Sequence, residues 1–474
     1  MIFLDRNAPE PYYRQIYHQI IEAIILGVYP EGMRLPSIRA HASLLNVSRN
    51  TIALAYQHLV SEGYLEPRPN SGFFVSKINH LPLPPEASSE ESLSALAAKA
   101  GSSENERFFR YDFNYGNADP SIFPTATWAN IARKIYFEND ISEAFCYNDS
   151  QGIYQLRHRI ALMMAERCGA SVVPEQITIH PRTRFALTAV AQLFNPQTDT
   201  FMIEDPGFHE AAAAFIDAGF TVEALPVLGT KADAFARLEA IKPKVIYLTP
   251  SNQYPTNQVM DLKTRKDFLE WAYNNNAYIV EDIYCNEFRY GLSAHPSLYT
   301  LDKQERVILT GTFSKTFSPA LCVSYLVFPK TLIGKWLSSN TMHPPVSWQT
   351  QATLAMFLEE YGTRHINRLR TSFQKKHDTL INVLEKEMGN NIEFLDHRAG
   401  LHLLIRTTDN KAEKELINLA AQHNIRVYPT SHYWLNGAPK SWDYILLGFS
   451  SIALEDIEPG IKALARAWDI QDTA

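Results

Sequence analysis

Three side chains in the middle of the sequence place an amine, a carboxylate and a phenol where they could form one reactive site. Lys315 follows an apolar run and a Ser/Thr-rich loop, and Asp282 and Tyr284 follow the candidate strand 278–281. A lysine can form an imine with a carbonyl compound, an aspartate can pair with a protonated ring nitrogen, and a tyrosine can donate to a ring oxygen. These are the needs of pyridoxal 5′-phosphate (PLP). Each residue alone has an ordinary alternative, as an exposed lysine or a helix cap.

A second group of polar residues, near the N-terminus, is typical of DNA reading. Ser48-Arg49-Asn50-Thr51 begins a helical pattern. Arg49 can bond guanine or phosphate, Asn50 can pair with adenine, and the two hydroxyls can reach phosphates. Further candidates for DNA contact are Arg34, Ser37, Arg39, Arg68 and Gly72. The alternative for each is an exposed polar side chain on a small helical domain.

The elements around these residues predict a winged helix-turn-helix. Helical spacing covers residues 13–26, Ser37 can cap a second helix to about residue 45, and Ser48 can cap a third to about residue 62. Gly63 suits the left-handed position after that helix. Residues 64–66 and 73–75 read as strands, with a turn over 67–72.

The rest of the chain predicts a linker and an α/β body. Residues 78–110 have linker composition, and one or two helical turns are expected at 93–99. Six strands with helices between several of them indicate a sheet covered on both faces, at 176–179, 200–204, 245–249, 278–281, 307–310 and 324–328. The final segment, about 340–474, predicts a smaller α+β lobe with a helix at 351–385 and strands at 400–405 and 445–449. The expected domains are 1–77, 78–110 and 111–474.

Composition is that of an ordinary globular chain. Of the 474 residues, 46 % are apolar and 20 % charged, and four cysteines without paired spacing do not suggest a disulfide framework. No apolar run is long enough to span a membrane, and the N-terminus does not resemble a signal peptide, so a cytoplasmic location is expected. Seven basic and six acidic residues give the first 80 residues a charge of +1 within a total of -7. This asymmetry is compatible with DNA binding through the N-terminal head.

The head closely resembles the GntR-type winged helix-turn-helix. The resemblance runs from Pro11 to Val75 and keeps the motifs Leu35-Pro-Ser-Ile-Arg39 and Ser48-Arg-Asn-Thr51. It implies binding to a double-stranded DNA operator.

About 350 residues of the body resemble the fold-type I aminotransferase domain of MocR/GabR-type regulators. The most specific matches are Glu281-Asp-Ile-Tyr284 with Glu287-Phe-Arg-Tyr290, and Gly311-Thr-Phe-Ser-Lys315. The resemblance implies that Lys315 forms the Schiff base, that Asp282 pairs with the pyridine nitrogen and that Tyr284 donates to the ring phenolate. It also implies a stacking ring at Phe208, phosphate donors at Thr312 and Ser314, and a homodimer. Asn252 lies close to the position of the family's usual asparagine.

The sequence departs from the family pattern at both ends of this site. The arginine that grips the phosphate is replaced by Cys322, and the small-residue turn after the strand 176–179 reads Pro181-Arg-Thr-Arg184. We therefore expect a swap, in which Arg182 or Arg184, with Thr183 between them, takes over the phosphate, and Arg182 is preferred for its place at the turn. Asn257 replaces a family glycine. The two arginines that bind substrate or effector carboxylates are replaced by Leu446 and Glu210, with Arg406 or Arg426 as possible substitutes.

Three interpretations remain open at this stage. The first is a PLP-dependent transcription regulator that senses an amine, an amino acid or PLP itself. The second is a working aminotransferase with a DNA-binding domain, and the missing carboxylate arginines count against it. The third is a repressor whose body has lost PLP and serves only as a dimer scaffold.

Overall fold

The computed structural model describes residues 10–69, 71–77, 109–138, 141–146, 149–291, 295–339 and 346–470, together with Ile2 and Leu4. The chain divides into two compact units, Met1–Arg107 and Phe108–Ala474, here called the head and the body. Most of the linker predicted from the sequence, including its helical turns, lies outside the described residues, as does Asn70 at the tip of the predicted wing.

The head contains the three helices and the hairpin that its sequence predicts. Its elements are α1 (Tyr12–Ile25), α2 (Ile38–Leu45), α3 (Arg49–Ser61), β1 (Leu65–Arg68) and β2 (Gly72–Val75). Ile16, Ile20 and Ile24 bury one face of α1 against the core of the head. The Tyr56 hydroxyl donates to the Pro36 carbonyl and lies 2.7 Å from Nδ1 of buried His41. These contacts tie α3 to the start of α2, and so fix the angle at which α3 is presented.

The predicted turn of the wing was too long. The structure continues the first strand to Arg68 and begins the second at Gly72, with Pro67 opposite Phe73 and Arg68 opposite Gly72. Proline is tolerated there because an edge strand does not need its missing N–H. The reversal therefore lies between Arg68 and Gly72.

The body is built on a seven-stranded mixed sheet in the order β4-β10-β9-β8-β7-β5-β6. Only β10 runs antiparallel to its neighbours, β4 and β9. Its strands are β4 (Ile177–His180), β5 (Thr200–Asp205), β6 (Thr221–Pro226), β7 (Val245–Leu248), β8 (Tyr278–Asp282), β9 (Val307–Thr312) and β10 (Ser324–Val327), and a two-residue strand, β3 (Tyr111–Asp112), precedes them. The six strands predicted from the sequence are present. The prediction missed β6, which lies at the edge with most of its residues partly exposed.

Helices connect these strands and cover the sheet. They are α4 (Thr125–Glu138), α5 (Tyr154–Cys168), α6 (Arg182–Ala191), α7 (His209–Asp217), α8 (Lys231–Ile241), α9 (Leu262–Asn274), α10 (Leu298–Leu301) and α11 (Lys330–Ser338). Apolar clusters that include sheet residues pack against α5 and α6 and, separately, against α8 and α9. The strands from β4 to β9 all run in one direction, and only β10 runs the opposite way. The carboxyl ends of the parallel strands therefore lie at one edge of the sheet.

The C-terminal lobe begins with a long helix, α12 (Trp348–Met388), and carries a four-stranded sheet in the order β11-β12-β15-β14. Its other elements are β11 (Ile392–Phe394), β12 (His402–Thr407), α13 (Glu413–Gln422), β13 (Ile425–Arg426), β14 (Tyr428–Pro429), β15 (Ile445–Gly448) and α14 (Leu454–Ala467). The strand β3 from the start of the body pairs with β13. A Cβ on Gly448 would lie 2.3 Å from the Tyr115 nitrogen, so the glycine lets this incoming segment cross β15. Within the described ranges, no helix is both long and apolar enough to cross a bilayer.

Candidate functional site

The carboxyl ends of the sheet strands surround a cavity of about 640 Å³. This is the position at which open α/β sheets bind ligands. The predicted site residues that line it are Arg182, Thr183, Arg184, Phe208, Asp282, Tyr284, Thr312, Ser314 and Lys315. Residues that lie more than 100 positions apart in the sequence therefore share one cavity.

Lys315 lies in the loop after β9, and its amine contacts an aromatic ring. Nζ is 3.9 Å from the ring centroid of Tyr115. Burial lowers the pKa of Lys315 to about 8, because the ammonium loses its hydration. A lysine with such a pKa is neutral in a useful fraction of molecules near pH 7 to 8, and only the neutral amine attacks a carbonyl carbon.

Asp282 ends β8 with one carboxylate oxygen bonded and the other without a partner. Oδ2 accepts a 2.6 Å hydrogen bond from the Tyr247 hydroxyl. Oδ1 is buried and has no hydrogen-bond partner among the described residues. Burial raises the pKa of Asp282 to about 7, against the opposing effects of the bond from the Tyr247 hydroxyl and of the nearby Tyr284 backbone N–H. A buried carboxylate oxygen of this kind fits a protonated ring nitrogen, which would supply both a charge and a donor.

Tyr284 and Asn252 form a pair beside Asp282. The Asn252 side-chain amide donates to the Tyr284 hydroxyl at 2.9 Å, and that hydroxyl donates to the Asn252 backbone carbonyl at 3.1 Å. Burial raises the pKa of Tyr284 well above its usual value, so the phenol keeps its proton and remains a donor. Gly400 has φ +85, and a Cβ there would come within 2.7 Å of the Asn252 side chain, so a larger residue would displace it.

Phe208 follows a tight turn at the end of β5 and caps α7. A Cβ on Gly207 would lie 2.0 Å from the Glu204 carbonyl oxygen, so only glycine fits this turn. The Phe208 ring lines the cavity and meets the ring of Tyr254 edge to face at 6.0 Å. Phe208 can therefore cover a flat ring bound next to Asp282.

One end of the cavity offers groups suited to a phosphate. The first turn of α6, residues 182–184, lines it, and free backbone N–H groups at a helix start attract anions. The hydroxyls of Thr312 and Ser314, 3.0 Å apart, line the same cavity. The Thr312 hydroxyl also accepts from the Ser314 N–H at 3.2 Å.

The two arginines of this turn have different partners. Arg182 Nε donates to Cys322 Sγ at 3.4 Å, which places its guanidinium beside the residue that replaces the family's phosphate arginine. Arg184 instead forms ion pairs with Glu210, at 2.8 Å, and with Asp217. Of the two arginines predicted for the swap, Arg182 contacts Cys322, whereas Arg184 is held in ion pairs.

The two positions at which the family resemblance predicts carboxylate-binding arginines hold a leucine and a glutamate, which are not suited to bind a carboxylate. Leu446 is buried on β15 in an apolar cluster with Leu404, Trp442 and Tyr444, and Glu210 pairs with Arg184. The two possible substitutes lie elsewhere. Arg406 pairs with Glu393, the Arg426 guanidinium stacks on the rings of Phe109 and Tyr428, and neither arginine belongs to the lining of the cavity that the described residues form.

Sequence reasoning missed the residues that support this set. Tyr247 orients Asp282, Tyr115 contacts Lys315, and the Tyr254 hydroxyl bonds that of Tyr433 at the cavity edge. Tyr247 lies within an apolar strand, where a tyrosine is usual, so only the known position of Asp282 on the next strand could have pointed to it. Asn257 has φ +61, a conformation that asparagine tolerates better than most residues, and this explains how it replaces a glycine.

In the head, two of the predicted DNA contacts act as helix caps. The Ser37 hydroxyl accepts from the Ala40 N–H at 3.2 Å, and the Ser48 hydroxyl accepts from the Thr51 N–H at 3.1 Å. Arg49 and Asn50 follow directly and are exposed at the first turn of α3. The caps hold this turn open to solvent, which is the position from which a recognition helix contacts bases.

The remaining candidates lie around this turn and the hairpin. The Arg34 backbone forms an antiparallel β-bridge with Phe74, and its guanidinium lies close to Gly72. The Arg68 guanidinium stacks on the Phe74 ring at 4.5 Å and pairs with Glu66. Arg34, Arg39 and Arg49 are exposed, and in the described part of the head none of them pairs with a carboxylate. They are free to meet phosphates.

The fold and the site define a protein with a winged helix-turn-helix head and an aminotransferase-fold body. Residues 111–442 match the model of the family "Aminotransferase class I and II", and residues 12–75 match "Bacterial regulatory proteins, gntR family". The chain belongs to the class I and II aminotransferase family in its body, and together with its head it is a GntR/MocR-type transcription regulator.

Similar proteins have the same organisation. The chain is 33 % identical to the uncharacterised HTH-type transcriptional regulator YhdI of Bacillus subtilis, over 98 % of this chain and 97 % of that protein. It is 29 % identical to the probable rhizopine catabolism regulatory protein MocR of Rhizobium meliloti, over 99 % and 96 %. The α-aminoadipate aminotransferase LysN of Thermus thermophilus, solved with N-(5′-phosphopyridoxyl)-L-leucine, shares the fold of the body with a TM-score of 0.67 and 24 % identity, over 76 % of this chain and 92 % of that one.

Proposed function

We propose that the body binds PLP and that the ligand state of this site sets the affinity of the head for its operator. The observation that carries the proposal is the buried Asp282 carboxylate, which shares one cavity with Lys315 and has one oxygen without a hydrogen-bond partner among the described residues. Desolvating a carboxylate is costly unless a charge or donor meets it. A protonated pyridine nitrogen supplies both.

Each residue of the site then has a specific role in holding the cofactor. Lys315 supplies the amine that holds the cofactor, and Asp282, oriented by Tyr247, keeps the ring nitrogen protonated. Tyr284 and Asn252 bind the ring oxygen, and Phe208 covers the ring and excludes water. When bound, PLP supplies an electron-poor ring and an electrophilic carbon that can react with an amine.

At the phosphate end, Arg182 replaces the charge that is lost at Cys322. The Thr312 and Ser314 hydroxyls and the N–H groups of the turn with Thr183 provide further donors. Arg184 is held by Glu210 and Asp217, so we assign it to those ion pairs.

The body acts as a sensor, and its effector is an amine, an amino acid or PLP itself. An α-amino acid bound through an arginine in the usual aminotransferase manner is disfavoured, because Leu446 and Glu210 occupy the two anchor positions. The same replacements argue against efficient transamination. We propose that two chains form a homodimer whose two heads read the two halves of a symmetric operator.

An absorbance scan of the purified protein, followed by borohydride reduction, tests the proposal. We expect near-visible absorbance and a reducible adduct in the wild type, and neither in Lys315→Ala. Wild-type protein with no such absorbance after incubation with PLP would support a PLP-free dimeric scaffold instead. Turnover of amino donors and 2-oxo acids at ordinary enzymatic rates would support an aminotransferase.

Operator binding with and without the ligand then tests the regulatory half. We expect PLP or an amine to change operator affinity in the wild type and to leave it unchanged in Lys315→Ala. Equal effects on both proteins would show that the head does not respond to this site.

A further inference from the structure

A second cavity, of about 560 Å³, lies in the body between α5, the segment after β8 and α12. It is separate in its lining from the cavity around Lys315, and nothing in the proposed function uses it. Three arginines, Arg167, Arg289 and Arg370, line it, and Glu287 is the only carboxylate among the lining residues that the structure describes. Three positive groups against one negative group leave a formal charge of +2.

Arg289 is the least compensated of these arginines. Its Nη2 bonds the neutral Asn286 side chain, and its Nε is buried without a partner among the described residues. Within those same ranges it forms no ion pair. Burial lowers the pKa of Arg289, against the opposing effects of Cys168 and Glu287, and the charge of Arg370 lowers it slightly further. A guanidinium in this position loses hydration that nothing on the described surface returns.

The other two arginines, Arg167 and Arg370, both contact Glu287. Arg167 pairs with the Glu287 side chain at 3.3 Å, and Arg370 Nε donates to the Glu287 backbone carbonyl at 3.0 Å. No hydrogen bond from the terminal nitrogens of Arg370 is present within the described part of the chain. Arg289 and Arg370 can therefore both donate to one incoming anion, as a planar guanidinium does to a carboxylate or phosphate.

The remaining walls decide what kind of anion fits. Met163, Met164, Ile283, Phe288 and Tyr325 supply apolar surface. The volume is in the range of small-molecule sites, which combine apolar walls with a few polar groups. A bare inorganic ion would leave most of this surface unused.

We infer that the cavity between Arg167, Arg289 and Arg370 is a binding site for a small organic anion, with its carboxylate or phosphate on Arg289 and Arg370 and its apolar part against the methionines. Ile283, which lines this cavity, lies between Asp282 and Tyr284 in the sequence. An occupant would therefore touch the backbone segment that carries two proposed PLP contacts. The inference does not depend on PLP binding.

Calorimetric titration of the full-length protein tests this site with defined probes. We expect benzoate or phenyl phosphate to bind the wild type, and benzyl alcohol, which lacks the charge, to bind at least tenfold more weakly. The better of the two anions identifies the preferred head group. No binding of either anion at millimolar concentration would overturn the inference.

Variants locate the binding. The substitutions Arg289→Gln and Arg370→Gln should each lower the affinity for the tighter-binding anion at least tenfold. Arg398→Gln should leave it unchanged, because that exposed arginine pairs with Asp396 and does not line the cavity. Arg182→Ala should also leave it unchanged, which separates this site from the phosphate end of the first cavity. Unchanged binding in Arg370→Gln, whose exposed side chain can be replaced without disturbing the core, or loss in Arg182→Ala alone, would overturn the inference.

Discussion

Replacing Arg182 with alanine should weaken PLP binding substantially. The guanidinium lies beside Cys322, where the family's phosphate arginine is missing, and the phosphate dianion needs a charged donor in a partly desolvated site. A hydrogen bond to a charged group contributes about 1.5–3 kcal/mol. That range corresponds to a loss of about 10-fold to 150-fold in affinity. Arg182 has φ +66, and alanine keeps its Cβ, so the backbone cost of this conformation is nearly the same in both proteins.

Arg184→Ala is the matched control, two residues away in the same turn. Its guanidinium is held by Glu210 and Asp217, and partly exposed ion pairs of this kind contribute about 0–1 kcal/mol to stability. We expect its PLP affinity to change less than about threefold. Both variants can be titrated with PLP by following the near-visible absorbance at equilibrium.

Two results would refute this reasoning. Equal PLP affinity in the wild type and in Arg182→Ala would show that the side chain takes no part in binding. If Cys322→Arg tightened PLP while neither alanine variant weakened it, the phosphate end would be a weakened site with no replacement. A sensor of free PLP would then be the better description of the protein.

Three further predictions concern the amine, the carboxylate and the head. Lys315→Met should stabilise the cofactor-free protein by about 3 kcal/mol at pH 7, because the lysine has a pKa of about 8 in the folded protein and 10.5 in the unfolded one, which penalises the charged form on folding. Urea unfolding should show that this gain in the free energy of unfolding vanishes as the pH rises from 8 to 10.5. Tyr247→Phe should raise the pKa of Asp282 and move the midpoint of PLP binding, measured by absorbance, to higher pH, whereas an unmoved midpoint would remove Tyr247 from this role. Arg49→Ala should weaken operator binding by about 1–3 kcal/mol in fluorescence anisotropy while Arg14→Ala does not, and equal affinities would mean that the recognition helix is misassigned.

The sequence predicted the parts of the fold that have strong local signals. The buried strand β7 is a continuous apolar run, and β8 begins with one. Ser37 and Ser48 are caps whose role depends on neighbours three residues away. The edge strand β6 and the two-residue strands β3 and β13 were not predicted, because their pairing depends on distant segments. The wing turn was placed too widely, since a proline was taken to end a strand that in fact continues past it.

The candidate site was predictable as far as motifs extend. Lys315, Asp282 and Tyr284 lie in specific motifs, and the position of each after a strand implied a shared edge. Arg182 was preferred over Arg184 from its place at the turn alone, whereas the partners of the two arginines depend on where Cys322, Glu210 and Asp217 lie in space. The bond from Tyr247 to Asp282 joins two neighbouring strands whose pairing the sequence does not state.

The way in which the chain enters the body has a mechanical consequence. Tyr111 and Asp112 are hydrogen-bonded into the C-terminal lobe through β13, and Tyr115, a few residues later, lies against the amine of Lys315. The covalent connection to the head therefore joins the body at a segment fixed at one end by the lobe and at the other by the reactive lysine. A ligand that displaces the Tyr115 ring, or shifts the lobe, would therefore move the segment from Tyr111 to Tyr115 at which the body begins.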